Sequence, residues 1–156
     1  MNQIKSNNME KSDKALELFK SNLSCSQSVL IAMASEVGID ETLAFRIGAG
    51  LGGGIGRTQN ICGAINAGAT ILGLKHGNYS ADDVESKNRL ADIVGRFVNE
   101  CKDSLGATQC LDLIKVDLNN KAQKDFANET GHLAKVCNNA VGETVKILGK
   151  YMNEGV

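Results

Sequence analysis

No proline occurs anywhere in the 156 residues, where average usage of about 5% would supply roughly eight. Proline is the residue that most firmly ends or kinks a helix, so nothing here forces a helix to stop. The cis-proline that accompanies a thioredoxin-type site is ruled out as well. The apolar pattern agrees: strand-like alternation is missing, while apolar residues three and four apart recur along the chain. Both features predict an all-α fold, a compact single-domain bundle of five to seven helices with a glycine-rich loop.

The expected elements follow from spacing and caps. A polar tail occupies residues 1–13, and one helical domain spans 14–153. Ala15, Leu16, Leu18 and Phe19 give a first short apolar face. Ser24 is placed to cap a helix over 25–37, with Gly38 to stop it. Asp40 caps a third, turning Leu43, Ala44 and Ile47 inward. A flexible glycine segment, GAGLGGGIGR, covers 48–57. Ile61, Ile65, Ala69 and Leu72 then mark a helix closed by Gly73 or Gly77. Ser80 with Asp83 forms an acidic capping box for the longest helix, which carries Val84 to Cys101 and breaks at Gly106. Thr108 caps a short helix through Cys110 and Ile114, residues 119–129 are helical in part, and a last helix runs from Gly131 to Met152.

Charge narrows the function. With 17 Lys+Arg against 18 Asp+Glu the chain is near neutral, which gives no support for a nucleic-acid or anionic-membrane partner. The N-terminal stretch lacks the apolar core of a signal peptide, and no apolar run approaches the ~20 residues of a membrane span. A soluble cytoplasmic protein is expected. Ten of the 17 glycines lie between Gly48 and Gly77. Gly48-x-Gly50-x-x-Gly53 formally matches the dinucleotide fingerprint, but no strand precedes it and no βαβ unit surrounds it. The segment instead suits close helix approach, or a loop wrapping a bulky group and offering its N–H groups to sulfur.

The five cysteines are the stronger signal. Cys25, Cys62, Cys101, Cys110 and Cys137 include no C-x-x-C pair, which excludes zinc knuckles, the thioredoxin dithiol and covalent haem attachment. An odd count without a secretion signal argues against a static disulfide framework. Cys25, Cys62 and Cys110 fall at expected helix starts and Cys137 about two turns into the last helix. Helix N-termini lower thiol pKa values and favour the thiolate. Cys101 lines up with Val94 and Phe97 on the long helix and reads as a packing residue. His76 and His132 each sit beside a glycine, in expected exposed turns without partners.

The segments SCSQSVLIAMASEVGID, AGLGGGIGRTQNICGAINAGATILGLKHG, SLGATQCLDLI and VCNNAVGETVKIL closely resemble the C_GCAxxG_C_C proteins, small helical proteins named for spaced cysteines framing a CGAxxG segment. The resemblance covers about residues 14–152. It implies redox activity and assigns Cys25, Cys62, Cys110 and Cys137 as the family cysteines, with Cys101 extra. The pattern departs at its final glycine, where Cys62-Gly63-Ala64-Ile65-Asn66 is followed by Ala67, then Gly68.

Three functions remain open. The preferred one is an iron–sulfur cluster for electron transfer, held by Cys25, Cys62, Cys110 and Cys137, because a wide cluster takes ligands from separate helices. Gly52, Gly53, Gly54, Arg57 and Gly63 would line it with backbone N–H groups and a positive charge. Zinc is the structural variant, although the usual C-x₂₋₄-C spacing is absent. The second function is a thiol–disulfide oxidoreductase with Cys25 and Cys62 as its catalytic pair. The third is an interaction module with inert cysteines and no cofactor. A redox partner protein is expected, and a homo-oligomer is compatible with each reading. The first two require Cys25 and Cys62 to meet, and the cluster requires all four to surround one site.

Overall fold

The computed structural model describes residues 2–154. Among these residues the chain forms eight α-helices: α1 (Asn2–Lys20), α2 (Cys25–Met33), α3 (Glu41–Gly48), α4 (Gly63–His76), α5 (Val84–Leu105), α6 (Cys110–Ile114), α7 (Lys121–Glu129) and α8 (His132–Tyr151). The all-α bundle is as expected, and the count reaches eight because the short α6 and the polar α7 both form. No helix among the described residues is long and apolar enough to cross a membrane.

Ser24 begins the helix that organises the bundle. Its hydroxyl accepts from the Gln27 N–H while the Gln27 side chain accepts from the Ser24 N–H, a complete capping box. Every residue of α2 from Ser26 to Met33 is buried, the pattern of a helix surrounded on all sides. Helices α1, α3, α4 and α8 pack around it. After Met33 the backbone tightens into a 3₁₀ turn over Ala34–Val37, and Gly38 closes it in the left-handed conformation. The expected helix over 25–37 is therefore two pieces, ended by the expected glycine.

Local expectation and structure part at a few other places. The stretch over 1–13 was expected as a tail, but from Asn2 onward it is the first half of α1 and packs along α8. Ser12 is buried and donates to the Gly142 carbonyl at 3.1 Å, and Asn8 lies against Gly149 so closely that a Cβ there would sit 2.2 Å from its amide nitrogen. Small residues and polar contacts make this interface, so no apolar stripe announced it. Leu43 is exposed, leaving Ala44 and Gly48 as the buried residues of α3. Asp83 itself caps α5 by accepting from the Ser86 N–H at 3.0 Å, in place of a Ser80 box. Gln109 rather than Thr108 stands at the N-cap position of α6, without a side-chain cap hydrogen bond, while the Thr108 carbonyl accepts from the Cys62 N–H.

Cys101 is fully buried within the core, on the face of α5 that carries Phe97, and burial pushes its thiol up to about 12. Cys101→Ala should cost about 1 kcal/mol in denaturant unfolding and leave the rate of thiol alkylation elsewhere unchanged.

Candidate functional site

Two chain segments that are distant in sequence are brought together by an antiparallel bridge between Ile61 and Gln109. The Cys62 N–H donates to the Thr108 carbonyl at 2.8 Å, and the Cys110 N–H donates to the Asn60 carbonyl at 2.7 Å. Residues flanking a bridged pair point to the face opposite that pair, so Cys62 and Cys110 leave the bridge on the same side. Cys62 caps the N-terminus of α4, and Cys110 is the first residue of α6.

The segment after α3, expected to be flexible, is tightly ordered. Gly53, Gly54, Ile55, Gly56, Arg57 and Gln59 all have positive φ, from 58° to 68°. N–H groups at 55, 56, 57, 59 and 60 donate to the carbonyls of Leu51, Gly50, Gly52, Gly53 and Gly54 respectively. A β-branched residue in this conformation is unusual, and Ile55 at φ 67° is held there by the surrounding turns. Gln59 fixes the far end: its side chain donates to the Val116 carbonyl at 2.7 Å and accepts from the Leu118 N–H at 3.0 Å. On the near side, Ser26 donates to the Gly48 carbonyl at 2.7 Å. The loop is thus clamped over the N-terminus of α2.

That clamp builds the surroundings of Cys25, the first residue of α2. The backbone amides of Gly53, Ser26 and Ala64 and the thiol of Cys62 all act on its sulfur. The Cys62 contact is the largest influence, and together these donors lower the Cys25 thiol to about 6 from the ordinary 9.0, against the opposing effect of burial. Cys62 moves the other way, well above its ordinary value, because its proton is held on the Cys25 sulfur and it is buried. Gly63 is what permits this approach. A Cβ at that position would lie 2.6 Å from the Cys25 Sγ and 2.9 Å from the Leu51 carbonyl oxygen. The glycine of the CGA segment is therefore required by the neighbouring sulfur.

One cavity of about 790 Å³ is lined by Cys25, Cys62, Cys110 and Cys137 together. Its walls are largely apolar, with Phe19, Leu113, Ile114, Leu133 and Val136 among them, and Lys20 and Arg57 contribute a cationic edge. Of the glycines expected to line the site, Gly52, Gly53 and Gly63 do so; Gly54 instead packs on the Asn60 backbone. Cys110 and Cys137 are half-buried. Burial pushes their thiols up to about 11 and about 12, with the nearby Cys25 charge adding to the shift.

The two histidines do have partners. His132 Nε2 lies 2.6 Å from the Ile114 carbonyl oxygen, tying the start of α8 to the end of α6, and His76 Nε2 lies 3.0 Å from that of Tyr151. Asn138, which sequence reasoning passed over, lines the cavity with a buried Oδ1 that has no hydrogen-bond partner. Nothing in its local sequence marks it.

Among the described residues, no group of three or more His, Cys, Asp or Glu side chains is arranged to hold a single metal ion. That bears on a lone zinc ion. A cluster several ångströms across takes thiolates spaced more widely than a single ion does, and the four cysteines share one cavity.

The geometry yields a prediction in pH. Alkylation by a neutral reagent follows the thiolate, so the rate at Cys25 should rise with a midpoint near 6 and be on its plateau by about pH 8. An unperturbed cysteine is mostly thiol at pH 7, whereas the lowered Cys25 would be mostly thiolate. A pH-resolved iodoacetamide titration with peptide mapping checks this.

The family described as "Putative redox-active protein (C_GCAxxG_C_C)" matches residues 23–151. No curated protein and no solved structure matches the chain.

Proposed function

The chain belongs to the C_GCAxxG_C_C family, and on that premise we propose that it is a thiol–disulfide redox protein, with Cys25 as the attacking thiolate and Cys62 as its resolving partner. The observations that carry this reading are the cavity that Cys25 and Cys62 line together and the Gly63 backbone next to Cys62, where a Cβ would lie 2.6 Å from the Cys25 Sγ. The Cys62 thiol and the amides of Gly53, Ser26 and Ala64 lower the Cys25 thiol there. Such donors hold a thiolate at neutral pH in a site that burial alone would keep protonated.

The reaction balances as follows. The Cys25 thiolate attacks one sulfur of a substrate disulfide, forming a mixed disulfide and expelling the other sulfur as thiolate. Cys62 gives up its proton and attacks the Cys25 sulfur, closing the Cys25–Cys62 disulfide and expelling the second substrate thiolate. Two electrons pass to the substrate, whose two sulfurs take one proton from Cys62 and one from solvent. The apolar walls of the cavity and Arg57 at its edge suit a disulfide flanked by apolar and acidic groups, on a redox partner protein.

A second reading is favoured by a different observation, the shared cavity of four cysteines. In it Cys25, Cys62, Cys110 and Cys137 hold an iron–sulfur cluster, which would supply one-electron transfer, and the amides of Gly53, Ser26 and Ala64 offset negative charge on the Cys25 sulfur. Purification under strict exclusion of air separates the two. The thiol pair predicts colourless protein without iron or acid-labile sulfide, and a cluster predicts both, with broad absorption around 400 nm.

A further inference from the structure

We propose that Cys110 and Cys137 form a second dithiol–disulfide couple, which reduces the Cys25–Cys62 disulfide inside the shared cavity. This rests on the thiol-pair reading above and adds to it a use for the two cysteines that reading leaves idle. Three observations carry it. All four sulfur-bearing residues line one cavity. The Ile61–Gln109 bridge sends Cys62 and Cys110 out on the same face, held by two backbone hydrogen bonds of 2.8 and 2.7 Å. Helix α6 packs on α8, which carries Cys137, and the His132 contact to the Ile114 carbonyl fixes that pairing five residues before Cys137.

The direction of transfer follows from the surroundings of each pair. Cys25 opens the nine-residue α2 with the Gly63 backbone against its sulfur, where helix N–H groups favour a thiolate, whereas Cys137 lies in the second turn of α8 and Cys110 opens only the five-residue α6. A couple whose reduced form is stabilised as thiolate is the more oxidising one. Electrons therefore run from Cys110 and Cys137 towards Cys25 and Cys62. Cys110, on losing its proton, attacks the Cys62 sulfur, because Cys25 is the better leaving thiolate and Cys62 is the sulfur on its own side of the bridge. Cys137, on losing its proton, then attacks the Cys110 sulfur and expels Cys62. The products are the Cys110–Cys137 disulfide, the Cys25 thiolate, the Cys62 thiol and one proton released to solvent. Two electrons have moved and no further reactant enters. Both members of the second couple are half-buried, open to an external dithiol that restores them.

The experiment uses the full chain, reduced under argon and given one equivalent of diamide. Samples are acid-quenched over time, alkylated and mapped for disulfides by mass spectrometry. The expected course is a Cys25–Cys62 disulfide first, replaced by Cys110–Cys137 until the latter is at least tenfold more abundant. In Cys110→Ser the first disulfide should persist. Two results would overturn the transfer: a wild-type disulfide that stays at Cys25–Cys62 while Cys110 and Cys137 remain alkylatable, or Cys110–Cys137 forming just as fast in Cys25→Ser. Absence of a Cys25–Cys62 disulfide even in the Cys110→Ser/Cys137→Ser double variant overturns the thiol pair itself, and the transfer with it.

Discussion

Replacing Cys25 by serine should abolish thiol–disulfide exchange, lowering the rate with a small aromatic disulfide at pH 7 by about a thousandfold or more. A serine hydroxyl stays protonated at this pH, so the amides of Gly53, Ser26 and Ala64 would face a neutral group that cannot attack sulfur. Cys62→Ser should fail differently. The first attack would still occur, but the mixed disulfide would accumulate, visible as a stable mass adduct on Cys25, because the resolving sulfur is gone. Cys101→Ala, on the buried face of α5 and outside the cavity lining, is the control and should exchange at the wild-type rate. Equal losses in all cysteine variants would point to a structure held jointly by the thiols and away from an ordered attack.

The second large effect concerns a residue without a side chain. Gly63→Ala inserts a Cβ where the Cys25 sulfur already sits 2.6 Å away, with the Leu51 carbonyl at 2.9 Å behind it. Both neighbours belong to the clamp over α2, so the sulfur has to move off its donors. Alanine is a better helix former than glycine, and α4 itself should keep its shape, as circular dichroism would confirm. The thiol should then titrate closer to the ordinary value of 9.0, leaving mostly thiol at pH 7 and slowing alkylation of Cys25 by roughly tenfold or more. An unchanged midpoint near 6 would mean that backbone approach to the sulfur is not what stabilises the thiolate.

Several of these features could be read from residues alone, and the physical reason is that they are local. A capping serine three residues before a glutamine, an aspartate before α3 and a glycine after α5 all act within one turn of the chain. The meeting of Cys25, Cys62, Cys110 and Cys137 around one cavity was also foreseeable, through helix starts and the family pattern. What escaped was non-local. The bridge between Ile61 and Gln109 joins segments 48 residues apart and carries no alternating pattern. Asn8 and Ser12 dock α1 through contacts to Gly149 and Gly142, which no hydrophobic periodicity reveals. The order of residues 53–59 depends on Ile55 and Arg57 adopting a left-handed backbone that their side chains disfavour, and only the carbonyl partners of the folded loop explain it. The need for Gly63 likewise resides in a sulfur 38 residues away in sequence.

The most direct measurement of the central claim is a redox titration of the air-free, full-length chain in dithiothreitol buffers of graded potential, with every cysteine scored by alkylation and mass spectrometry. In Cys110→Ser/Cys137→Ser, where no second couple competes, Cys25 and Cys62 should lose alkylation together in one reversible two-electron step, joined as a disulfide peptide. Cys25 remaining alkylatable across the whole range, or pairing with any cysteine other than Cys62, would contradict the account.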